Sequence, residues 1–320
     1  MKLSIGIGGY DRTWPLIAGA IKMDGTELNW EIVPPEVAFV RGQVDGNYQL
    51  SELSFCTHLV QLARGTNLYT AIPVYPSRSF RHSAIYVRAD AGIERPEDLI
   101  GRNIGGSEWQ LTANVWARGI LSDDYGVSVD KVHWYFGGID VPGRSEKVPL
   151  TLPPHIKTTR IAANETLWSL MSKGTLDAII GPRAPAAFIA GNPRVRRLFA
   201  DVKGAEQDYF RQTGIFPIMH LLGIRNDVLA AHPELPPKLF NAFETARFRA
   251  RCDLDQVAYL HVMLPWLIDH IAETKQVMGD DYWTYGVDGN RKTIDTMCRY
   301  AFEQGLTDRK IAIEELFTPE

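Results

Sequence analysis

Cysteine is scarce. Cys56, Cys252 and Cys298 are the only three in 320 residues, far apart and never at a CxxC spacing. That count excludes a disulfide framework and a zinc ribbon, and it fits free thiols in a reducing compartment. No His-x-x-x-His or His-Glu-x-x-His stretch occurs, so no metal and no cofactor is expected. A G-x-S-x-G elbow is missing, which leaves a serine-hydrolase reading without support. No apolar run is long enough to span a bilayer, and there is no internal repeat or low-complexity stretch. The formal net charge of −4 supplies no field for nucleic acid or for an anionic membrane. An anionic ligand would have to be held by local cations. The opening "MKLSIGIGGYDRTW" has none of the three regions of a signal peptide, so a cytoplasmic location is expected.

What is there is ordinary for a globular protein: 45% hydrophobic and 22% charged residues, in a chain long enough for two lobes. Short apolar runs alternate with helical patterns. Leu3 to Gly6, Leu28 to Val33, Leu53 to Phe55, Leu68 to Val74 and Ala84 to Val87 read as strands. Trp14 to Ile21, Pro35 to Val44 and "THLVQLA" read as helices between them. This alternation predicts an α/β fold with largely parallel sheets. Further on, "RNIGG", "KVHWYF" and "LDAIIG" are strand-like, and "LTANVWARGILSDDYG" is an amphipathic helix closed by Gly126. The stretch 137–154 is rich in Gly and Pro and reads as a long functional loop. "MHLLGIR" returns to the first unit, and the remainder is mostly helical, with Thr307 or Asp308 as a cap for the last helix. The expected plan is two-lobed: residues 1–100 and 183–320 form a discontinuous first lobe with a helical C-terminal part, and 101–182 an inserted second lobe. The cleft between them is the default ligand site.

Several stretches could carry chemistry. In "GIGGYDRT", Gly6 and Gly8 fit a dinucleotide loop but Asp11 stands where the third glycine belongs. Either this is a tight turn, or Gly8 and Gly9 let backbone N–H groups approach an anion beside Tyr10. Arg12 reads equally as a neighbour of that site or as surface. In "SELSF", Glu52 and Ser54 share a strand face, with Glu52 the candidate for a ligand contact. "RSFRHS" sets Arg78, Arg81 and His82 at the mouth of an apolar strand. An Arg fork matches a carboxylate, and a histidine can exchange a proton at neutral pH. The alternative is a lobe-junction arginine and a core histidine. "SEWQLTANVW" brings Glu108, Gln110 and Thr112 to a helix start, an end that favours anions, though Thr112 or Ser107 also reads as a plain cap. Trp109 and Trp116 are candidate flanks for an aromatic ligand, with Trp116 on a helix face more often core. Arg144 and Lys147 read as surface charge in the long loop. Arg183, framed by Pro182 and Pro185 after a strand, is a candidate carboxylate clamp, and His220 opens the returning strand.

Taken together, "YDRT", "SELS", "PSRSFRHSAIYVR", "GGIDVPGR", "LTLPP" and "TGIFPIMH" resemble the 4,5-dihydroxyphthalate decarboxylase family. The resemblance runs on to "RKTIDTMCRYAFEQGL" and "EELF", nearly the whole chain. Gly9 stands where members often carry an acidic residue, and Trp109 where they carry a tyrosine. The resemblance implies a two-lobed fold like that of type 2 periplasmic binding proteins. It also implies a non-oxidative, cofactor-free loss of one carboxylate from 4,5-dihydroxyphthalate, giving protocatechuate and CO2. Such a reaction needs a proton donor at the ring carbon, cations on the carboxylates and an acceptor for the phenol proton. The roles it suggests are Arg81 and Arg183 as clamps, His82 or His220 as acid, and Glu108 or Glu52 as phenol partner. Tyr10, Gln110 and Thr112 complete the substrate contacts. A small aromatic carboxylate is the expected partner, with no nucleic acid, no membrane and a homo-oligomeric chain. The rival expectation is a binding protein that closes on an aromatic carboxylate without changing it.

Overall fold

The computed structural model describes residues 1–317. The strands among them begin with β1 (Lys2–Ile7), β2 (Glu27–Ile32), β3 (Leu50–Ser54) and β4 (Tyr69–Arg78). Next come β5 (Ile85–Arg88), β6 (Asn103–Gly106), β7 (His133–Phe136), β8 (Thr158–Arg160) and β9 (Ala178–Ile180). The last two are β10 (Val195–Arg197) and β11 (Ile218–Arg225). One sheet has the order β2-β1-β3-β11-β4 and the other β10-β5-β9-β6-β7-β8. No helix among the described residues is long and apolar enough to cross a membrane.

The chain forms two compact units. The first comprises Met1–Arg78, Phe210–Asp295 and the described residues from Ile311 on; the second comprises Ser79–Tyr209 and Thr296–Lys310. The boundaries expected at 100/101 and 182/183 therefore move to 78/79 and 209/210. The reason is strand pairing. β5 reads as one more strand of the first sheet, but it pairs antiparallel with β9 and with β10 in the second. β10 was not foreseen: three residues with two arginines carry too little apolar pattern to stand out.

In the first unit, β1 runs parallel to β2 and β3, and β11 runs antiparallel to β3 and β4. Leu3, Ile5 and Ile7 alternate into the core of β1, and every residue of β3 is buried. The helix Phe55–Ala63 starts directly after β3, so the run expected as a strand from Leu53 to Phe55 ends at Ser54. The helix expected over 14–21 stops at Ile17, where the Ala18 and Gly19 N–H groups close a turn on Trp14 and Leu16.

In the second unit, β6, β7, β8 and β9 are parallel. The helix Thr112–Tyr125 follows β6 and buries its first ten residues. Gly126 ends it at φ 66°, the left-handed conformation a glycine adopts without strain, and its N–H caps Leu121 and Ser122. The final helix is only Ile313–Leu316, with Ala312 rather than Thr307 or Asp308 before it.

Candidate functional site

In the first sheet, β2 and β3 lie on opposite sides of β1. The chain thus leaves β1 in one direction and β3 in the other, and the crevice beyond their carboxyl ends is a topological switch point, where α/β sheets hold ligands. Gly8 follows β1 there, and Glu52 sits near the end of β3. Across the β3–β11 pair, Ser54 faces His220 and Glu52 faces Leu222. Glu52 and His220 are therefore diagonal neighbours on one face. On its other side β11 shifts register against β4 around His220, and such irregularities re-aim a side chain.

The contacts converge on Glu52, which is fully buried. Its Oε2 accepts the Gly8 N–H at 2.8 Å, and its Oε1 accepts the Tyr10 hydroxyl at 2.6 Å. Nδ1 of His220 lies 2.5 Å from Oε1. Burial works against a charged carboxylate here. The His220 ring and the hydrogen bonds from His220, Tyr10 and Gly8 outweigh it, and Glu52 titrates below its ordinary value of 4.5. Burial, and then the Glu52 charge, push the Tyr10 phenol well above its ordinary range. Phe39 packs edge-on against the His220 ring at 4.8 Å. Arg12 belongs to the same cluster: its guanidinium lies between the Tyr10 ring at 4.2 Å and the Trp283 ring at 4.1 Å, and Nε donates to Pro76 O at 2.6 Å.

The second unit holds another polar cluster, at the carboxyl ends of β6 and β7. Glu108 is buried and meets two cations: Arg144 Nε at 2.7 Å and Lys147 Nζ at 2.6 Å. These two are partners of a buried carboxylate, not the loose surface charges the loop suggests. Just ahead of the helix Thr112–Tyr125 the chain supplies a carboxylate of its own. Glu146 accepts the N–H groups of Trp109 and Gln110, and the Gln110 amide at 3.0 Å. Thr112 is the first residue of that helix and is buried. Trp109 and Trp116 are both in the core, Trp109 beneath Arg118 at 3.7 Å and Trp116 against Tyr300 at 5.5 Å.

The stretch "RSFRHS" is split between the two units. Arg78 ends the first. It is buried and donates to the backbone oxygens of Phe216 at 3.0 Å and Thr284 at 2.6 Å, and to the Asn290 side chain. It pins chain segments, and burial pushes its pKa down to about 10. Arg81 opens the second unit; burial pushes it down to about 10, with the Glu206 charge working the other way. His82 is buried between Phe199 at 5.1 Å and Tyr209 at 5.3 Å. Neither ring nitrogen has a hydrogen-bond partner among the described residues, and burial pushes His82 down to about 4. Arg183 is exposed, three residues past β9.

Within the described residues of each unit, then, the candidates Tyr10, Glu52 and His220 stand together, and Glu108 stands with Gln110 through the loop that carries Glu146. No protein-family model matches the chain. The chain is 40% identical over 319 residues to the 4,5-dihydroxyphthalate decarboxylase of Comamonas testosteroni, covering 100% of this chain and 97% of that one. It is 43% identical over 211 residues to the 4,5-dihydroxyphthalate decarboxylase of Pseudomonas putida, covering 66% and 82%. The chain belongs to the 4,5-dihydroxyphthalate decarboxylase family.

Solved structures similar to this decarboxylase-family chain include the periplasmic aliphatic sulphonate binding protein SsuA of Escherichia coli. That match has a TM-score of 0.57 at 13% identity, over 99% of this chain and 92% of that one. The alkanesulfonate-binding protein SsuA of Xanthomonas axonopodis pv. citri aligns at 0.52 and 11%, over 99% and 98%. The desulfurization enzyme DSZB aligns at 0.51 and 14%, over 99% and 96%. At such identities the likeness is one of fold: this is the periplasmic-binding-protein-like α/β fold, carried by binding proteins and by an enzyme alike.

Sequence reasoning missed one residue of the decarboxylase-family chain: Glu146 carried no signal beyond its place in the long loop. For Arg12 it left neighbour and surface both open, because the stacking partner Trp283 lies far along the chain.

Proposed function

We propose that this chain removes one carboxylate of 4,5-dihydroxyphthalate without oxidation, giving protocatechuate and CO2. Family membership over the whole chain supports the activity. The observation that carries the chemistry is the buried contact between Glu52 and His220 at the switch point of the first sheet.

The reaction exchanges CO2 for a proton at one ring carbon. The hydroxyl para to that carbon pushes electron density into the ring, and a proton adds to the carbon that bears the carboxylate. The carbon–carbon bond then breaks, its electron pair restores the aromatic ring, and CO2 leaves. We assign the proton donor to His220. Its Nδ1 is engaged by Glu52, which fixes the ring orientation and leaves the other nitrogen to exchange a proton with a ligand. A positioned acid of this kind contributes about 10²–10⁴-fold. His82 is the weaker candidate: pushed down to about 4, it is a neutral imidazole at neutral pH, and no described partner fixes its tautomer. Both phenol-partner candidates are already engaged within the chain: Arg144 and Lys147 meet the two oxygens of Glu108, and Gly8, Tyr10 and His220 those of Glu52. Tyr10, which shares Glu52 with His220, remains a substrate contact. Arg81 and Arg183 remain the carboxylate partners, since a dianion needs fixed cations.

Incubating the purified protein with 4,5-dihydroxyphthalate and following the ultraviolet spectrum and released CO2 tests the activity. Stoichiometric CO2 with protocatechuate is the expected result. Saturable binding without turnover, with or without added divalent metal, would leave a binding protein instead. Arg81→Ala and Arg183→Ala are each expected to raise KM at least tenfold.

A further inference from the structure

The Glu52–His220 cluster of the first unit includes a guanidinium that the proton chemistry does not use. Arg12 lies between two aromatic faces, and each face is itself held. The Tyr10 hydroxyl donates to Glu52 at 2.6 Å. The Trp283 indole N–H donates to Tyr75 O at 3.1 Å, and Phe216 packs edge-on against its ring at 5.4 Å. One flank of the fork is pinned as well: Nε donates to Pro76 O at 2.6 Å, and Nη2 to the same oxygen. Nη1 donates to Asp11 at 3.0 Å, a carboxylate whose side chain is 48% exposed. Three of the five guanidinium N–H groups are thus engaged among the described residues. Two are left, one on each terminal nitrogen, the pair that a carboxylate takes end-on.

We propose that Arg12 holds the carboxylate that the substrate keeps, a subsite that rests on the decarboxylase reading. Three observations carry this. The first is a contrast within the same unit. Arg78 is buried and spent on Phe216, Thr284 and Asn290, and Arg247 is 5% exposed and meets the carboxylates of Glu244 and Asp281. Those arginines are closed pins. Arg12 has no buried carboxylate, and its pair with exposed Asp11 is screened by solvent. The second is access. The Arg12 side chain is 15% exposed, close to the 17% of His220, so both can meet a ligand. The third is rigidity. A guanidinium already stacked and pinned loses little freedom when it binds, and its fork matches a carboxylate. Chemistry decides which carboxylate. The two sit on adjacent ring carbons, and the departing one ends as neutral CO2. A cation on that group would hold the ground state more tightly than the transition state and slow the step. The retained group stays anionic throughout, so a cation there binds both states alike and fixes the ring beside the His220 donor. Two carboxylates offer four oxygens, which leaves acceptors for Arg81 and Arg183 as well.

Isothermal titration calorimetry of the full chain with protocatechuate, which keeps that carboxylate, and with catechol, which lacks it, is the test. Arg12→Gln is expected to raise the protocatechuate Kd at least tenfold and to leave the catechol Kd within twofold. Arg12→Lys keeps the charge without the fork, and its protocatechuate Kd should fall between those of the native chain and Arg12→Gln. With 4,5-dihydroxyphthalate, Arg12→Gln should raise KM at least tenfold with kcat within threefold, the mark of binding that is equal in both states. A protocatechuate Kd within twofold of native in both variants overturns the proposal. So does an equal rise for catechol, which would make the stack a structural pin. A raised KM with an unchanged protocatechuate Kd also overturns it, by moving Arg12 to the departing carboxylate. The calorimetry needs no turnover. A native chain that binds 4,5-dihydroxyphthalate and releases no CO2 would end the decarboxylase reading, while the two Kd comparisons still decide the Arg12 subsite.

Discussion

Glu52 and His220 are 168 positions apart in sequence, yet their Oε1 and Nδ1 atoms meet at 2.5 Å. Pairing of β3 with β11 makes this possible, and the Gly8 N–H and Tyr10 hydroxyl fix the carboxylate's other contacts. Glu52→Gln keeps the shape and removes the charge. Its amide nitrogen can only donate, so at least one of the three groups around it loses an acceptor. The expected result is a kcat for 4,5-dihydroxyphthalate lowered by about 10²–10³-fold with little change in KM, in a protein that stays folded. Steady-state kinetics by ultraviolet absorbance decide it. Full turnover in Glu52→Gln would remove the pair from the chemistry.

The glycine after β1 is a matter of space. A Cβ on Gly8 would come within 2.8 Å of the Tyr10 ring and hydroxyl, and its backbone is not in the left-handed region. Gly8→Ala therefore asks nothing unusual of the backbone, but its methyl group pushes Tyr10 off Glu52. One displaced hydrogen bond is worth about 1–1.5 kcal/mol, so kcat/KM should fall about tenfold. Tyr10→Phe should fall by a similar factor, and the double variant should be no worse than either, because both remove one contact. Additive losses in that cycle would show that Gly8 acts through something other than Tyr10.

Part of this site is legible in the sequence, because strand periodicity puts Glu52 and Ser54 on one face and the returning strand begins beside His220. The alternation of short strands and helices likewise gives the α/β class. What escapes is whatever long-range pairing decides. β5 has the apolar pattern of a strand, but nothing local says which sheet it joins; β9 and β10 decide that. Arg78 looks like a ligand clamp until Phe216, Thr284 and Asn290 arrive from distant parts of the chain to engage it. Arg144 and Lys147 look like solvated loop charges because their partner, Glu108, belongs to a separate segment. Local pattern fixes which face a side chain takes, and partner identity needs the fold.

That pairing also sets a stability prediction. Glu108 is 2% exposed and Lys147 7%. Removing one member of a buried pair leaves the other short of its charge partner, which costs about 3–5 kcal/mol. Glu108→Ala should therefore lower the urea midpoint sharply. Adding Lys147→Met should recover part of the loss, since the second change removes a buried cation that has lost its Glu108 contact. A loss within about 0.5 kcal/mol, the range of ordinary surface changes, would mean that the cluster contributes nothing net.

His82 and His58 predict how the protein responds to acid. Both are buried, and burial pushes each down to about 4; for His58 the backbone bond at Leu316 works the other way. In the unfolded chain each titrates near 6.5, so between pH 6.5 and 4 the unfolded state binds more protons than the folded one. Stability is therefore complete above about pH 6.5, falls as the pH drops towards 4, and levels off below. A shift of this size corresponds to on the order of 3 kcal/mol per histidine over the full window, and about 2 kcal/mol by pH 5. Glu52 acts later: its depressed value means that its contribution is present above about 4.5 and is lost only as the pH falls below that. Urea titrations at pH 7.5, 6 and 5 separate these effects. His82→Phe keeps an aromatic ring between Phe199 and Tyr209, and it should shed about half of the histidine-linked loss between pH 7.5 and 5. An unchanged slope would show that His82 is not held neutral in the fold. The same variant, assayed at pH 7.5, should keep turnover within a few-fold of the native chain, because the proton donor is assigned to His220; a loss of 10²-fold or more in a folded protein would return the role to His82.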